Sequence, residues 1–170
     1  MFDLESKKQD EITITTKKTS VTINVAQGVV DAGLQVGEIV GPGEFEIGDV
    51  SIRAIAVGGK ADEVEEGKEQ VGLANRTGGP AGVIYDVEVG GIHIGVIGDI
   101  ESGLDDLGVA AILCTSSVRA IREIEPKLVV ATGNVDGMVT ELKLSARTEK
   151  KLRVKNIDAL PAALEVVVLN

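Results

Sequence analysis

Two runs of alternating apolar residues flank a pair of glycines near the middle of the chain. Residues 83–89 (VIYDVEV) and 92–97 (IHIGVI) stand on either side of Gly90 and Gly91. Consecutive glycines reach the positive φ angles that a two-residue hairpin turn requires. The sequence therefore predicts an antiparallel pair of strands here, and no other segment indicates its structure as clearly.

Several other segments show the same β pattern. Residues 12–14 and 21–25 alternate β-branched apolar residues with polar ones, and residues 17–19 between them are typical of a turn. Further strands are predicted at 44–47 and 50–55 (after a turn at 41–43, GPG), 110–114, 128–131 and 166–169. Weaker alternation around Leu142 and Leu144, and around Leu152 and Val154, predicts two more strands.

One short helix interrupts this series of strands. Residues 118–124 follow Ser116 and Ser117, either of which can cap a helix, and Pro126 ends it. Strands outnumber helices, and no fixed-period repeat is present. The 170 residues therefore predict a single β-rich α/β (α+β) domain, in which the charged residues 1–10 are loosely held.

Composition excludes several classes of partner. The hydrophobic fraction of 44% is typical of a globular protein, whereas aromatic residues make up only 2%, so the core must consist of Val, Ile, Leu and Ala. A net charge of −10 argues against binding to nucleic acid or to an anionic membrane surface. No apolar run reaches the length of a membrane span and no signal peptide precedes the polar start, so a cytoplasmic location is predicted.

The chain is poor in residues that carry chemistry. His93 is the only histidine, and its position on a strand favours an edge or surface residue over a catalytic base. Cys114 is the only cysteine; it ends an apolar strand, which favours a small buried hydrophobe and excludes an internal disulfide. One histidine and one cysteine cannot by themselves supply the three protein ligands of a catalytic zinc.

Acidic and glycine-rich segments are alternative candidates for cation and phosphate sites. An oxygen-only Mg²⁺ or Ca²⁺ site could draw on Asp99, Glu101, Asp105 and Asp106, but their spacing is not that of a calcium loop, and a solvated acidic turn is favoured. The crowded acids between residues 58 and 82 favour a solvated loop or short helix over a cation site. Neither Gly-Lys pair in that stretch has the pattern of a phosphate-binding loop.

Several segments in order along the chain resemble the metallo-β-lactamase superfamily. The matching segments are residues 41–47 (GPGEFEI), 83–91 (VIYDVEVGG), 96–100 (VIGDI) and 124–130 (IEPKLVV), followed by a closing pair of strands at 151–154 and 166–169. The sequence is most similar to small bacterial zinc-dependent hydrolases related to ascorbate-6-phosphate lactonase. The resemblance covers residues 41–170 and implies a trimmed αββα sandwich with few short helices.

The resemblance also implies that the metal site is lost. The family's zinc ligands are an HxHxDH motif, a later His, an Asp and a final His. The first forty residues here contain no histidine, Val96 stands at the later His position, Gly133 stands near the final one, and only Asp99 is retained. Because a lone carboxylate cannot hold zinc, no catalytic, cofactor or metal-binding residue is predicted, and Asp99 is expected to hydrogen-bond a turn.

The predicted function is therefore that of a pseudoenzyme with a structural or interaction role. Self-association through exposed strand edges, giving a homo-oligomer, or binding of another protein would serve that role. The alternative is a hydrolase or small-molecule binding protein with a non-standard site near Asp99, lined by Thr115, Ser116 and Asn134. A third possibility is a heteromeric complex whose partner supplies the missing ligands. The sequence identifies no ligand.

Overall fold

The computed structural model describes residues 1–6, 8, 10–33, 37–57, 82–133 and 135–170. These residues form two β-sheets, two α-helices and two short 3₁₀ turns. The strands are β1 (Phe2–Glu5), β2 (Glu11–Thr15), β3 (Ser20–Asn24), β4 (Val29–Asp31), β5 (Glu38–Val40), β6 (Gly43–Ile47), β7 (Val50–Val57), β8 (Gly82–Val89), β9 (Ile92–Gly98), β10 (Ile112–Thr115), β11 (Leu128–Ala131), β12 (Ala146–Glu149), β13 (Leu152–Val154) and β14 (Glu165–Leu169). The helices are α1 (Val118–Ile124) and α2 (Val135–Leu142), and the 3₁₀ turns are Leu104–Leu107 and Ile157–Ala159.

The two sheets differ in how their strands are connected. The first sheet has six strands in the order β13-β1-β2-β3-β4-β5, and every neighbouring pair is antiparallel. The second has eight strands in the order β12-β14-β11-β10-β9-β8-β7-β6. Strands β6 to β9 pair antiparallel, whereas β9, β10, β11, β14 and β12 run parallel to one another. The carboxyl ends of the parallel strands therefore meet at one edge.

The main core lies between the two sheets. Alternate residues of each strand point inward, so that Ile12, Ile14, Val21 and Ile23 of the first sheet belong to the same buried cluster as β8 and β9 of the second. Tyr85 is the largest side chain in this layer and is almost completely buried. The remaining members are aliphatic or small, apart from Phe2 and Cys114, as the scarcity of aromatic residues predicts.

A second, smaller core lies on the other face of the eight-stranded sheet. Ala120 and Ile121 of α1, Met138 of α2, and Leu104 and Leu107 of the first 3₁₀ turn pack there against the sheet. Both α-helices thus cover the same sheet, and the fold is a β-rich α+β sandwich, which confirms the predicted class. Neither helix in the described part of the chain has the length and apolarity needed to cross a membrane.

Helix α1 begins and ends at the residues that the sequence indicates. The Ser117 hydroxyl accepts a hydrogen bond from the Ala120 backbone N–H at 3.2 Å, which satisfies one of the free donors of the first turn. At the other end, Glu125 takes a left-handed conformation with φ of 51°, and its N–H donates to the Ile121 carbonyl. Pro126 follows immediately and cannot continue the helix.

The predicted strand around Leu142 and Leu144 is wrong. Leu142 is the last residue of α2, and Leu144 lies in the connection that follows it. Val135, Met138, Val139 and Leu142 are spaced as one face of a helix, and this period overrides the local alternation. The next strand, β12, begins only at Ala146, and its residues are largely exposed. The predicted strand at Leu152 and Val154 is confirmed as β13.

The start of the chain is part of the first sheet. Residues 1–10 are predicted to be loosely held, whereas residues 2–5 form β1, which pairs with β2 on one side and with β13 on the other. Phe2 and Leu4 are buried in the main core, and this burial outweighs the charge of the neighbouring residues.

The central hairpin forms as predicted. Strands β8 and β9 pair antiparallel on either side of Gly90 and Gly91, whose φ angles are 57° and 78°. Those values match the turn type that two glycines favour in a hairpin. The acidic stretch predicted as a loop or short helix, residues 58–81, lies outside the described residues.

Candidate ligand-binding cleft

A cleft opens at the edge where the parallel strands of the second sheet end. Strands β9, β10 and β11 end at Gly98, Thr115 and Ala131, and the residues after them line a cavity of about 490 Å³. We call this cavity the Asp99 cleft. Its lining consists of Asp10, Val25, Ala26, Gly82, Gly98, Asp99, Ile100, Ser116, Thr132 and Gly133. Ligands commonly bind at the carboxyl ends of parallel strands, because the connecting loops there diverge.

Two carboxylates in this lining have no partner. Asp99 occupies the turn in which the Ile100 N–H donates to the Ile97 carbonyl, and its side chain is exposed. The Asp10 main-chain carbonyl accepts from the Val25 N–H at 3.0 Å, which places this residue beside the cleft. Neither side chain makes a hydrogen bond or ion pair with any described residue. The expectation that Asp99 hydrogen-bonds its turn is thus wrong, because only backbone groups close that turn.

A set of hydroxyls connects the ends of β9 and β10 under the cleft. The buried Thr115 hydroxyl donates to the Gly98 carbonyl at 2.7 Å and accepts from the Ser117 N–H at 2.9 Å. The Ser116 hydroxyl reaches the same Gly98 carbonyl at 3.5 Å. The Ser117 hydroxyl donates to Glu101 at 3.1 Å, so this carboxylate has a partner within the fold. These contacts fix the backbone on which Asp99 stands.

Thr132 contributes a different kind of group. The residue lines the cleft and is only 5% exposed, yet its hydroxyl oxygen is buried without a hydrogen-bond partner in the described structure. Buried hydroxyls are normally paired, since leaving one unsatisfied forfeits the hydrogen bonds that water would supply. Thr132 follows β11 directly and was not identified from the sequence, where nothing distinguishes it from the other threonines.

The floor of the cleft has no room for a larger residue at Gly98. This glycine has a φ of 58°, and a Cβ atom added to it would lie 3.0 Å from the Val25 side chain. A side chain here would therefore be strained and crowded at once. Gly98 brings the β9 backbone close to the β3–β4 connection and keeps its carbonyl available to Thr115.

The architecture matches that of a solved structure. The comparison protein, from Thermotoga maritima, is assigned to the Zn-dependent hydrolases of the metallo-β-lactamase superfamily. The alignment has a TM-score of 0.64 and 10% sequence identity, and it covers 100% of each chain. This chain has the metallo-β-lactamase fold. No protein-family model matches the sequence, and no curated protein sequence matches it either, so the likeness is one of fold alone.

The zinc ions expected of hydrolases with the metallo-β-lactamase fold do not fit these side chains. Val96, at one predicted histidine position, is completely buried in the layer between the sheets. Gly133, at the other, lines the cleft but has no side chain, and its neighbour Asn134 lies outside the described residues. Within the described ranges no three His, Cys, Asp or Glu side chains come together as a metal site. The described residues at these positions therefore cannot hold a catalytic zinc ion.

The only histidine is too far from the cleft to contribute. His93 lies near the start of β9, six residues before Asp99, which corresponds to about 20 Å along a strand. Its Nδ1 atom lies 3.0 Å from Asp86 Oδ1, and Arg53 Nη2 lies 3.2 Å from Asp86 Oδ2. Arg53 also donates to the Asp106 carbonyl at 2.6 Å. Each carboxylate oxygen of Asp86 therefore has a partner, and Arg53 attaches the 3₁₀ turn to the sheet.

His93 therefore lies on a surface, as predicted, but not at an edge. Strand β9 is central in its sheet, between β8 and β10, and the His93 side chain is 44% exposed on the helix-bearing face of that sheet. Asp86 beside it is only 11% exposed.

Cys114 is a buried core residue, as its position in the sequence predicts. It points into the layer between the sheets and has no exposed surface. Burial raises the pKa of its thiol to about 12, because the apolar surroundings disfavour the thiolate. A thiol with that pKa is neither a nucleophile nor a metal ligand near neutral pH.

The acidic residues considered for a Mg²⁺ or Ca²⁺ site do not converge. Asp105 and Asp106 lie in the 3₁₀ turn Leu104–Leu107, on the helix-bearing face of the sheet. Glu101 is engaged by Ser117, and only Asp99 faces the cleft. Of the residues predicted to line it, Ser116 does so, whereas Thr115 lies underneath.

Proposed function

We propose that this protein is a non-catalytic member of the metallo-β-lactamase fold that binds a small polar molecule in the Asp99 cleft. The observation that carries the proposal is the combination of an open cavity with unpartnered polar groups, Asp10, Asp99 and Thr132, at the carboxyl ends of parallel strands. Side chains that support a fold are usually paired, whereas binding groups are left free for a ligand.

The lack of catalysis follows from the side chains at the family's ligand positions. A catalytic zinc needs three protein ligands before it can lower the pKa of a bound water. A buried valine at 96 and a glycine at 133 provide none, and His93 is engaged with Asp86 elsewhere. A cytoplasmic location and the absence of a nucleic-acid partner are part of the proposal. The net charge of −10 supports the absence of a nucleic-acid partner.

Metal content and hydrolysis together test this function. The purified protein should contain less than a tenth of a zinc per chain by elemental analysis after incubation with zinc and gel filtration. It should not turn over β-lactam, lactone, thioester or phosphodiester substrates. Stoichiometric zinc together with turnover that a chelator abolishes would reject the non-catalytic assignment. Loss of that turnover in Asp99→Ala would place the chemistry in the cleft.

Self-association is a second proposed property, supported by one exposed surface. Val40 on the edge strand β5 is 71% exposed. It pairs with Val29 on the outer face of the first sheet, which neither described helix covers. Exposed apolar residues beside unpaired backbone groups favour strand-to-strand pairing between copies. Light scattering across a hundredfold concentration range should give a dimer that Val40→Lys dissociates and Asp158→Lys does not. A monomeric wild-type protein at all concentrations would reject it.

A further inference from the structure

The chemistry of the Asp99 cleft also indicates what kind of molecule it takes. We propose, resting on the function proposed above, that the cleft is selective for small organic ammonium ions. The proposal combines three observations. These are the negative charge of the described lining, the unpartnered Thr132 hydroxyl, and a set of carboxylates that is too small for a metal ion.

The charge of the described lining is negative. Asp10 and Asp99 are the only charged residues among the described residues that line the cleft, and neither has an ion-pair partner in the described structure. Lys8 lines the adjoining cavity, and its Nζ atom forms an ion pair with Glu11 at 3.2 Å. Two free carboxylates in one concave site favour a cation, and the net charge of −10 adds a long-range attraction of the same sign.

The Thr132 hydroxyl supplies an observation independent of charge. It is buried at the wall of the cleft with no partner among the described residues, whereas the neighbouring Thr115 hydroxyl is fully used. A hydroxyl oxygen without a partner in the protein can accept a hydrogen bond from a bound molecule. An ammonium group carries up to three N–H donors and no acceptor, which suits two carboxylates and one hydroxyl oxygen.

The same groups are unsuited to a metal ion. Calcium takes six to eight oxygen ligands and magnesium an octahedral set, with several carboxylates in typical protein sites. Among the described residues no third carboxylate joins Asp10 and Asp99 in the lining, and Glu101 is held by Ser117. A cavity of about 490 Å³ is also far larger than one ion needs and falls in the usual range for small organic ligands.

A series of four-carbon compounds tests this selectivity on the full chain. Butane-1,4-diammonium, butylammonium, butan-1-ol and butyrate share one skeleton and differ in charge. We expect two-dimensional NMR titrations of the ¹⁵N-labelled protein to give affinities in that order, with shifts concentrated at Gly98, Asp99 and Gly133. The binding of butane-1,4-diammonium should weaken as salt concentration increases, since the attraction is screened.

Matched variants locate the effect. Asp99→Asn and Asp10→Asn should each weaken binding of butane-1,4-diammonium about five- to tenfold, as expected for loss of one partly solvated charge contact. Thr132→Val should weaken it by a smaller factor. Glu88→Gln, which removes the same charge from an exposed site outside the cleft, should leave affinity within twofold. All variants are checked for an unchanged folded spectrum before titration.

The outcomes separate this inference from the function on which it rests. Binding of butyrate or butan-1-ol in the cleft, tighter than either ammonium, would overturn the ammonium selectivity and leave a small-molecule binding protein. Shifts that persist in both Asp variants, or that lie away from the cleft, would also overturn it. Failure of all four compounds to bind would reject it as well, whereas the non-catalytic assignment fails only with zinc-dependent turnover.

Discussion

The two ends of strand β9 present the same kind of side chain in opposite states. Near its start, the carboxylate of Asp86 on the neighbouring strand is held by Arg53 on one oxygen and His93 on the other. Just after its end, the carboxylate of Asp99 has no partner in the described structure and faces an open cavity. The middle of the strand is buried on both sides. The difference indicates that polar groups at the start stabilise the fold, whereas those at the end are available to a ligand.

The largest effect should come from restoring a histidine where the family has one. Val96→His places a larger, polar imidazole among the tightly packed side chains between the sheets and should lower the free energy of unfolding by about 3 kcal/mol. Denaturant titration measures the loss. Val109→His, at a position that is 88% exposed, should change stability by less than about 0.5 kcal/mol. A Val96→His protein of wild-type stability would show that the strand interior tolerates polar groups and remove the contrast with its ends.

The direct comparison of the two ends comes from two isosteric substitutions. Asp86→Asn removes charge-assisted contacts to Arg53 and His93 and should cost about 1–2 kcal/mol. Asp99→Asn removes no contact and should stay within about 0.5 kcal/mol of wild type. Equal losses in denaturant titrations of the two variants would mean that Asp99 also has a structural role.

Tyr85 offers a polar group that is unpartnered in the core, away from either end. Tyr85→Phe should change the free energy of unfolding by less than about 1 kcal/mol, because no hydrogen bond is lost. Burial raises the pKa of its phenol to about 12 from its ordinary value of 10.0. The unfolded phenol therefore ionises first, so stability should fall as pH rises above 10.

Since Tyr85 is the only tyrosine and no tryptophan is present, its ionisation can be followed directly by ultraviolet absorbance. The folded protein should titrate near pH 12 and the protein in denaturant near pH 10. A folded-state midpoint near 10 would show that the hydroxyl is in contact with water.

The smallest effect is expected at a paired carboxylate on the surface. Arg153 donates to Asp3 at 2.8 Å and lowers the pKa of this carboxyl below its ordinary value of 3.8. The contribution to stability is complete above pH 3.8 and is lost as pH falls through the lower folded value. The difference in stability between wild type and Asp3→Asn should therefore shrink below pH 3.8 and in high salt. A difference independent of pH would mean that the ion pair contributes nothing.

Local patterns in the sequence predict most of the strands and one helix. The hairpin at Gly90 and Gly91, the capped helix α1 and the short apolar strands β10, β11 and β14 are each defined by neighbouring residues. Strand β1 is different, because Phe2 and Leu4 are buried only through pairing with β2 and β13. Such pairing cannot be inferred from four residues that alternate apolar and acidic side chains. The short strands β4 and β5 and the helix α2 were missed for similar reasons.

The candidate site is predictable only in part. Asp99 and Ser116 stand beside apolar strands whose ends converge, and the sequence indicates both. Asp10 and Thr132 come from segments far apart in the chain, and only the packing of the two sheets brings them to one cavity. The lack of a partner for Thr132 is likewise a property of its surroundings rather than of its sequence.

The pairing of β1 with β13 has a consequence for how the protein is made. Asp3 and Arg153 are in contact although 150 positions separate them in the chain. On a ribosome the first strand must therefore wait until Val154 has emerged before it can pair on both sides. Contacts of such high sequence separation slow folding, so this end of the first sheet is completed late in synthesis.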